Sequence, residues 1–263
     1  MKGIYAVFRK EMSQYFVSPI AYVAVGAFLF LAGIFFQGIL AEENDYAMRA
    51  AMQAMQFGTP FEIDVPGDVM RGFFGVTGTI LLFVIPMLTM GSYAEERRRG
   101  TMELLMTSPI TDLDIVIGKY LGVLTLFLIM LLPSSLQMVI MFRASDPAPP
   151  WRLMLCGYLG VFLLGGSLLA IGQFISSLTE SQIVAGIWTF LVFLILWVVD
   201  FIIRGSSSGW AGGVSQYLSI LRHMNDFTRG VVDSSNLIYY ASLILLGLFL
   251  TLRSLDSMRW RRA

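Results

Sequence analysis

Apolar runs long enough to cross a bilayer as helices, about 20 residues each, recur along the chain between shorter polar stretches. They predict six spans, over residues of about 20–40, 72–91, 115–142, 153–175, 183–203 and 236–252. Met1 to Val17 follows a different pattern. Ile4, Val7, Phe8, Met12, Tyr15 and Phe16 recur near helical spacing, with Lys2, Arg9, Lys10 and Glu11 between them. This predicts an interfacial helix over 1–17, lying along the membrane surface. It is not expected to be a signal peptide, because the run that follows is long enough to span and no small-residue cleavage site closes it. Ser18-Pro19 reads as a helix cap followed by proline at the first helical position.

Polar residues between the runs define the connections. Glu42 to Arg71 reads as an acidic loop, with a short surface helix over Tyr46 to Phe57. Residues 92–114 form the densest run of charge. Glu95 and Glu96 are followed by Arg97, Arg98 and Arg99, a Gly100 break, a short amphipathic piece from Thr101 to Met106, a Pro109 stop and a fresh helix start at Thr111. Asp146 to Pro150 is a stiff turn. Ser177 and Glu180 are spaced as a capping pair between the fourth and fifth spans. Gly205 to Gly213 reads as a flexible linker. Val214 to Val232 is amphipathic and too polar to span; it reads as a surface-lying or re-entrant segment. Pro86 and Pro133 lie inside spans, where kinks are expected. Gly157, Gly160, Gly165, Gly166 and Gly172 supply small surfaces for close helix approach.

Composition agrees with a single all-α polytopic membrane domain over 1–263. The chain has 263 residues, 56% of them hydrophobic and 14% charged, against about 25% charged in soluble domains. A formal net charge of zero gives no electrostatic case for nucleic acid. The lone cysteine, Cys156, excludes an intrachain disulfide. Eleven of the 18 Lys and Arg residues fall on the side that holds both termini and the 92–114 loop, which predicts that this side is cytoplasmic.

Little catalytic chemistry is present. There is no phosphate-binding G-x-x-x-x-G-K-[ST] loop; Gly118-Lys119-Tyr120 lacks the upstream glycine and the Ser or Thr. The single histidine, His223, cannot make a histidine-rich metal site and reads as a polar residue of an interfacial helix. Gly165-Gly166-Ser167 lacks the glycine that would follow a nucleophilic serine. Asp200 is the one acid near a span end, beside Arg204. With no other charge deep in a span, an ion-coupled carrier is not expected. An intramembrane enzyme has neither a nucleophile–base pair nor a metal cluster to work with. A transporter built from this chain needs an energy source elsewhere.

Several motifs carry a resemblance. Pro86-Met87-Leu88-Thr89-Met90, Glu95-Glu96-Arg97, Gly100-Thr101-Met102-Glu103-Leu104-Leu105, Thr107-Ser108-Pro109 and Gly118-Lys119-Tyr120 resemble the signature of ABC-2-type permeases. The fit is closest to the subfamily associated with gliding motility and copper-enzyme maturation. Leu218-Ser219, His223, Phe227, Arg229-Gly230-Val231-Val232-Asp233 and Ile238-Tyr239-Tyr240 resemble the same subfamily in an extracytoplasmic segment before the last span.

The resemblance implies a type V exporter-like permease in a bacterial cytoplasmic membrane, with both termini cytoplasmic. It implies two ATPase subunits, a second permease that is identical or related, and contact with membrane lipids. ATP and Mg would be bound by the ATPase and no cofactor by this chain. It further implies export, a coupling helix over Gly100 to Pro109, and ATPase contact by Glu95, Glu96, Arg97, Thr101, Met102, Glu103, Leu104, Leu105, Ser177 and Glu180. Met102, Leu105 and Met106 are the expected apolar anchors. An auxiliary subunit with a large extracytoplasmic domain accompanies such permeases in gliding-type systems. That leaves a second function open: a non-transporting scaffold or mechanotransmitter whose ATP-driven motion acts on an extracytoplasmic partner. Gly91 stands where relatives commonly carry Arg, so a buried ion pair to the loop acids is expected to be missing.

Overall fold

In a computed structural model the described residues are 2–57, 64–144, 151–204, 219–220 and 222–260. They form helices and turns, with no strand among them. The helices are α1 (Lys2–Val17), α2 (Pro19–Phe57), α3 (Val65–Thr89), α4 (Ala94–Arg98), α5 (Thr101–Thr107), α6 (Asp112–Ala144), α7 (Trp151–Leu178), α8 (Gln182–Arg204), α9 (Arg222–Thr228) and α10 (Ser234–Trp260).

Five of them, α2, α3, α6, α7 and α10, are long and apolar enough to cross a membrane. Over the expected fifth span lies α8, which counts as a shorter apolar helix over its described stretch Gln182–Val198. Two connections differ from expectation. Tyr46 to Phe57 is no separate surface helix but the continuation of α2, which runs unbroken for 39 residues. At the helical rise this is about 58 Å, against about 30 Å of hydrocarbon. The acidic stretch also ends earlier than expected. Asp64 caps α3 by accepting the Gly67 amide at 3.1 Å, with Pro66 in the first turn. The expected turn at 146–150 and linker at 205–213 lie outside the described residues, as do residues 214–218 and Leu221 of the amphipathic segment.

α7 is the central element, packed against α3, α6, α8, α9 and α10. Its glycines make this possible. A Cβ on Gly165 would sit 2.2 Å from the Phe127 ring of α6, and one on Gly160 would sit 2.6 Å from Phe227 of α9. An edge-on chain of rings, Phe36–Phe73–Phe74–Tyr158, joins α2, α3 and α7. α3 and α6 run through Pro86 and Pro133 as single helices. α1 lies on α6, where Gly118 and Gly122, one turn apart, make room for Val7 and Glu11.

Candidate functional site

The charged run folds into two short helices at the end of the bundle where α3 stops and α6 starts. α4 has five residues and α5 seven, too few to hold helical structure alone. Gly100, at φ 69°, makes the left-handed turn between them. Thr111 then starts α6 with a capping box. Its amide donates to Asp114 Oδ2 at 3.2 Å, and the Asp114 amide donates to Thr111 Oγ1 at 3.2 Å.

What fixes α4 is bonding to other helices. The Ser176 hydroxyl of α7 accepts the Tyr93 and Ala94 amides at 3.2 and 3.3 Å and donates to the Met90 carbonyl at 3.0 Å. One side chain thus satisfies both the start of α4 and the end of α3. Arg97 donates to the Ser177 carbonyl at 2.8 Å and to Glu180 Oε1 at 3.1 Å. Ser177 and Glu180 do not form the expected capping pair: the Ser177 hydroxyl bonds back to the Phe174 carbonyl within α7. Glu95 accepts from Gln182 Nε2 of α8 at 2.7 Å and pairs with Arg99.

Glu96 is turned inward, and here a charge lies where none was expected. Lys119, 1% exposed, sits between Glu11 of α1 at 2.6 Å and Glu96 at 3.0 Å, and donates to the Ser92 carbonyl at 2.8 Å. Its ammonium lies 5.1 Å from the centre of the Tyr93 ring. Lys10 pairs with Glu96 from the outer side. Two carboxylates and two ammonium groups therefore join α1, α4 and α6 in one network. The buried ion pair to the loop acids is present after all, supplied by Lys119 rather than by position 91. A burial this complete holds only if each charge keeps its partners. Beside the network, burial and then the Glu11 charge push the Tyr15 phenol above its usual value.

The faces of α5 also differ from expectation. Met102 is 5% exposed and packs with Tyr93, Ile115, Val116 and Leu255. Leu105 is half-buried against the same cluster. These two anchors hold α5 to its own bundle, so they are not the outward ones. Leu104, 73% exposed, is. Thr101, Glu103 and Thr107 are exposed with it; the Met106 side chain lies outside the described residues. A cleft of about 360 Å³ opens beside α5, bounded by Arg97, Glu103, Glu180 and the last turns of α10 at Ser254, Ser257 and Met258. The structure thus gathers Glu95, Arg97, Ser177 and Glu180 into one bonded unit, with Thr101, Glu103 and Leu104 on its surface. Glu11 and Ser176 are contributors not singled out from the sequence, and Lys119 stands there only as part of the Gly118-Lys119-Tyr120 motif.

At the opposite end of α7, the residues expected in an extracytoplasmic segment form a second unit. α9 carries His223, Met224, Phe227 and Thr228 buried. Phe227 reaches Gly160, about 14 Å along α7 from its first residue by helical rise. α9 is therefore inserted among α3, α7 and α10 and does not lie on the surface. His223 is no solvated polar residue. Its ring stacks on Tyr239, with centres 3.9 Å apart, and Nδ1 lies 2.6 Å from Asn236 Oδ1, while Asn236 donates to Asp226 at 2.8 Å. Gly230, at φ 78°, turns the chain out. Arg229 is exposed, and Asp233 caps α10 by accepting the Ser235 amide at 3.0 Å. The Asp200 and Arg204 side chains lie outside the described residues.

Among the described residues no group of three or more His, Cys, Asp or Glu is placed to hold a metal ion. The model of a family described as ABC-2 family transporter protein matches residues 5–253. No curated protein matches the chain.

Proposed function

This chain belongs to the ABC-2 family of transporter proteins, and we propose that its α4–α5 unit is the handle by which a separate ATPase drives export. It is a multi-pass membrane permease subunit of an ABC transporter, and its family pairs with an ABC ATPase. The observation that carries the proposal is Leu104. An exposed leucine on a helix too short to stand alone is held at the tip of a unit bonded to α1, α6, α7 and α8. An apolar anchor within a polar rim is how interface hot spots are built. Burying one leucine contributes about 1.5–3 kcal/mol.

In this reading the α4–α5 end and both termini face the cytoplasm of a bacterium. Two ATPase subunits, holding ATP and Mg, seat on two permeases, identical or related. Closure of the ATPase pair pulls α5. Arg97 passes the displacement to the α7–α8 turn, and the Lys119 network passes it to α1 and α6, so the helices move as bodies and not as a bending loop. The test is to change Glu103→Arg or Leu104→Asp, and to measure ATP-driven export alongside membrane insertion. Export is expected to fail with insertion intact. Normal association with the ATPase and normal stimulation of its turnover would refute the proposal.

A second reading draws on α2. Its last turns carry exposed Met48, Met52 and Met55 and exceed the length a span needs. A helix standing past the bilayer suits contact with an auxiliary subunit bearing an extracytoplasmic domain, as in gliding-type complexes, with no solute crossing. ATP-dependent solute flux in sealed vesicles separates the two: flux favours export, and turnover without flux favours mechanical work.

A further inference from the structure

A cleft of about 610 Å³ lies where α1 meets α2, against the end of α3, α4 and the start of α8. It falls in the range of small-molecule sites, about 300–1,000 Å³. Its two walls differ in chemistry. Val17, Ile20, Ala21, Met87 and Leu88 form an apolar wall. Val17 and Ile20 are exposed at its lip, continuous with exposed Phe16, Tyr22 and Val23. In a membrane protein such a surface faces lipid chains. The other wall holds Lys10, Glu11, Glu95, Glu96, Arg99 and Gln182.

Charge on that second wall is nearly balanced. Glu11, Glu95 and Glu96 are matched by Lys10 and Arg99 in the wall and by Lys119 directly behind it. A net anion would find both wall cations already paired with carboxylates. A zwitterion can exchange with those pairs without adding charge. Carboxylates also select among zwitterions: a primary ammonium offers three N–H donors, and a choline group offers none. Two further polar groups line the cleft and face each other. Ser92, 6% exposed, and Tyr15 have buried hydroxyls that lie side by side with no other hydrogen-bond partner.

We propose that this cleft is a lipid site for one phosphoethanolamine phospholipid, with its ammonium at Glu95, its phosphate at Arg99 and Lys10, and its chains along Val17 and Met87. Such a site stands whether or not an ATPase docks on Leu104. Gly91 keeps it open. A Cβ there meets only the mobile ends of Gln182 at 3.2 Å and Glu95 at 3.5 Å, so a longer side chain would run into the cleft without moving backbone.

Full-length protein in detergent is offered equal amounts of dioleoyl phosphatidylethanolamine, phosphatidylglycerol and phosphatidylcholine, and bound lipid is read by native mass spectrometry. One phosphatidylethanolamine is expected, favoured about tenfold over either competitor, equivalent to about 1.4 kcal/mol. Gly91→Arg should lower its retention about tenfold, while Gly91→Ala keeps it; a thermal melt of each variant checks folding. Arg99→Gln, at an exposed position, should weaken retention several-fold. Equal retention of the three lipids, or full retention by folded Gly91→Arg or by Arg99→Gln, would overturn the assignment.

Discussion

Two seven-residue helices sit at opposite ends of α7, and they are finished differently. Neither is long enough to be stable alone, so each borrows its order from packing. α9 buries His223, Met224, Phe227 and Thr228 and leaves polar Arg222 and Asn225 outside. Its apolar surface is complete. α5 buries Met102 and half-buries Leu105, yet leaves Leu104 in the open. The contrast separates a plug, which closes one end of the bundle, from a helix with an apolar side chain still in the open, which in the proposed function is where the ATPase docks.

The largest loss is expected at the foundation of α5. Lys119→Met would leave Glu11 and Glu96 buried without their shared cation and should cost about 3–5 kcal/mol, seen as a large fall in the melting midpoint in detergent. Arg99→Gln, at an exposed pair, should cost less than about 1 kcal/mol in the same assay. A similar small loss for Lys119→Met would mean that the network does not hold α4. At the other end, Phe227→Ala opens a cavity against Gly160 and should cost about 3 kcal/mol. A much smaller loss would show α9 to be loosely seated, which removes the contrast. Leu104→Asp should leave stability within about 0.5 kcal/mol and weaken ATPase association by about 2 kcal/mol, roughly 30-fold. Met102→Asp should do the reverse and destabilise first. Thr111→Ala, which removes the α6 cap, should cost about 1 kcal/mol, read from the same melts.

Much of this was legible in the sequence, and the gaps have physical causes. Hydropathy marks the spans because bilayer crossing demands apolar length. The Gly100 break and the Thr111 start are local rules, visible in a few neighbouring residues. The reach of α2 was not, because hydropathy falls at Glu42 while helix propensity continues through Ala- and Met-rich residues up to Phe57. Lys119 resembles an ordinary interfacial lysine until the fold brings Glu11 to it across 108 positions. The glycines that permit this, Gly118 and Gly122, were the visible half of the pattern. Ser176 and Ser177 are alike as letters; only the position of α4 makes the first a cap. On α5, spacing shows that Met102 and Leu105 share a face, but not whether that face meets the bundle or a partner. The Leu104 side carries an apolar residue too, so inside and outside become distinguishable only once Tyr93, Ile115 and Leu255 are in place.

If the open side of α5 is covered by the ATPase, site-specific labelling will register the cover. Leu104→Cys would be placed in a chain whose native Cys156 has been changed to Ser, and maleimide labelling followed with and without the cognate ATPase. Fast labelling of the permease alone is expected, with at least about tenfold protection, equivalent to about 1.4 kcal/mol, once the ATPase is bound. Equal labelling in the two states, with the ATPase demonstrably attached, would contradict the proposed docking.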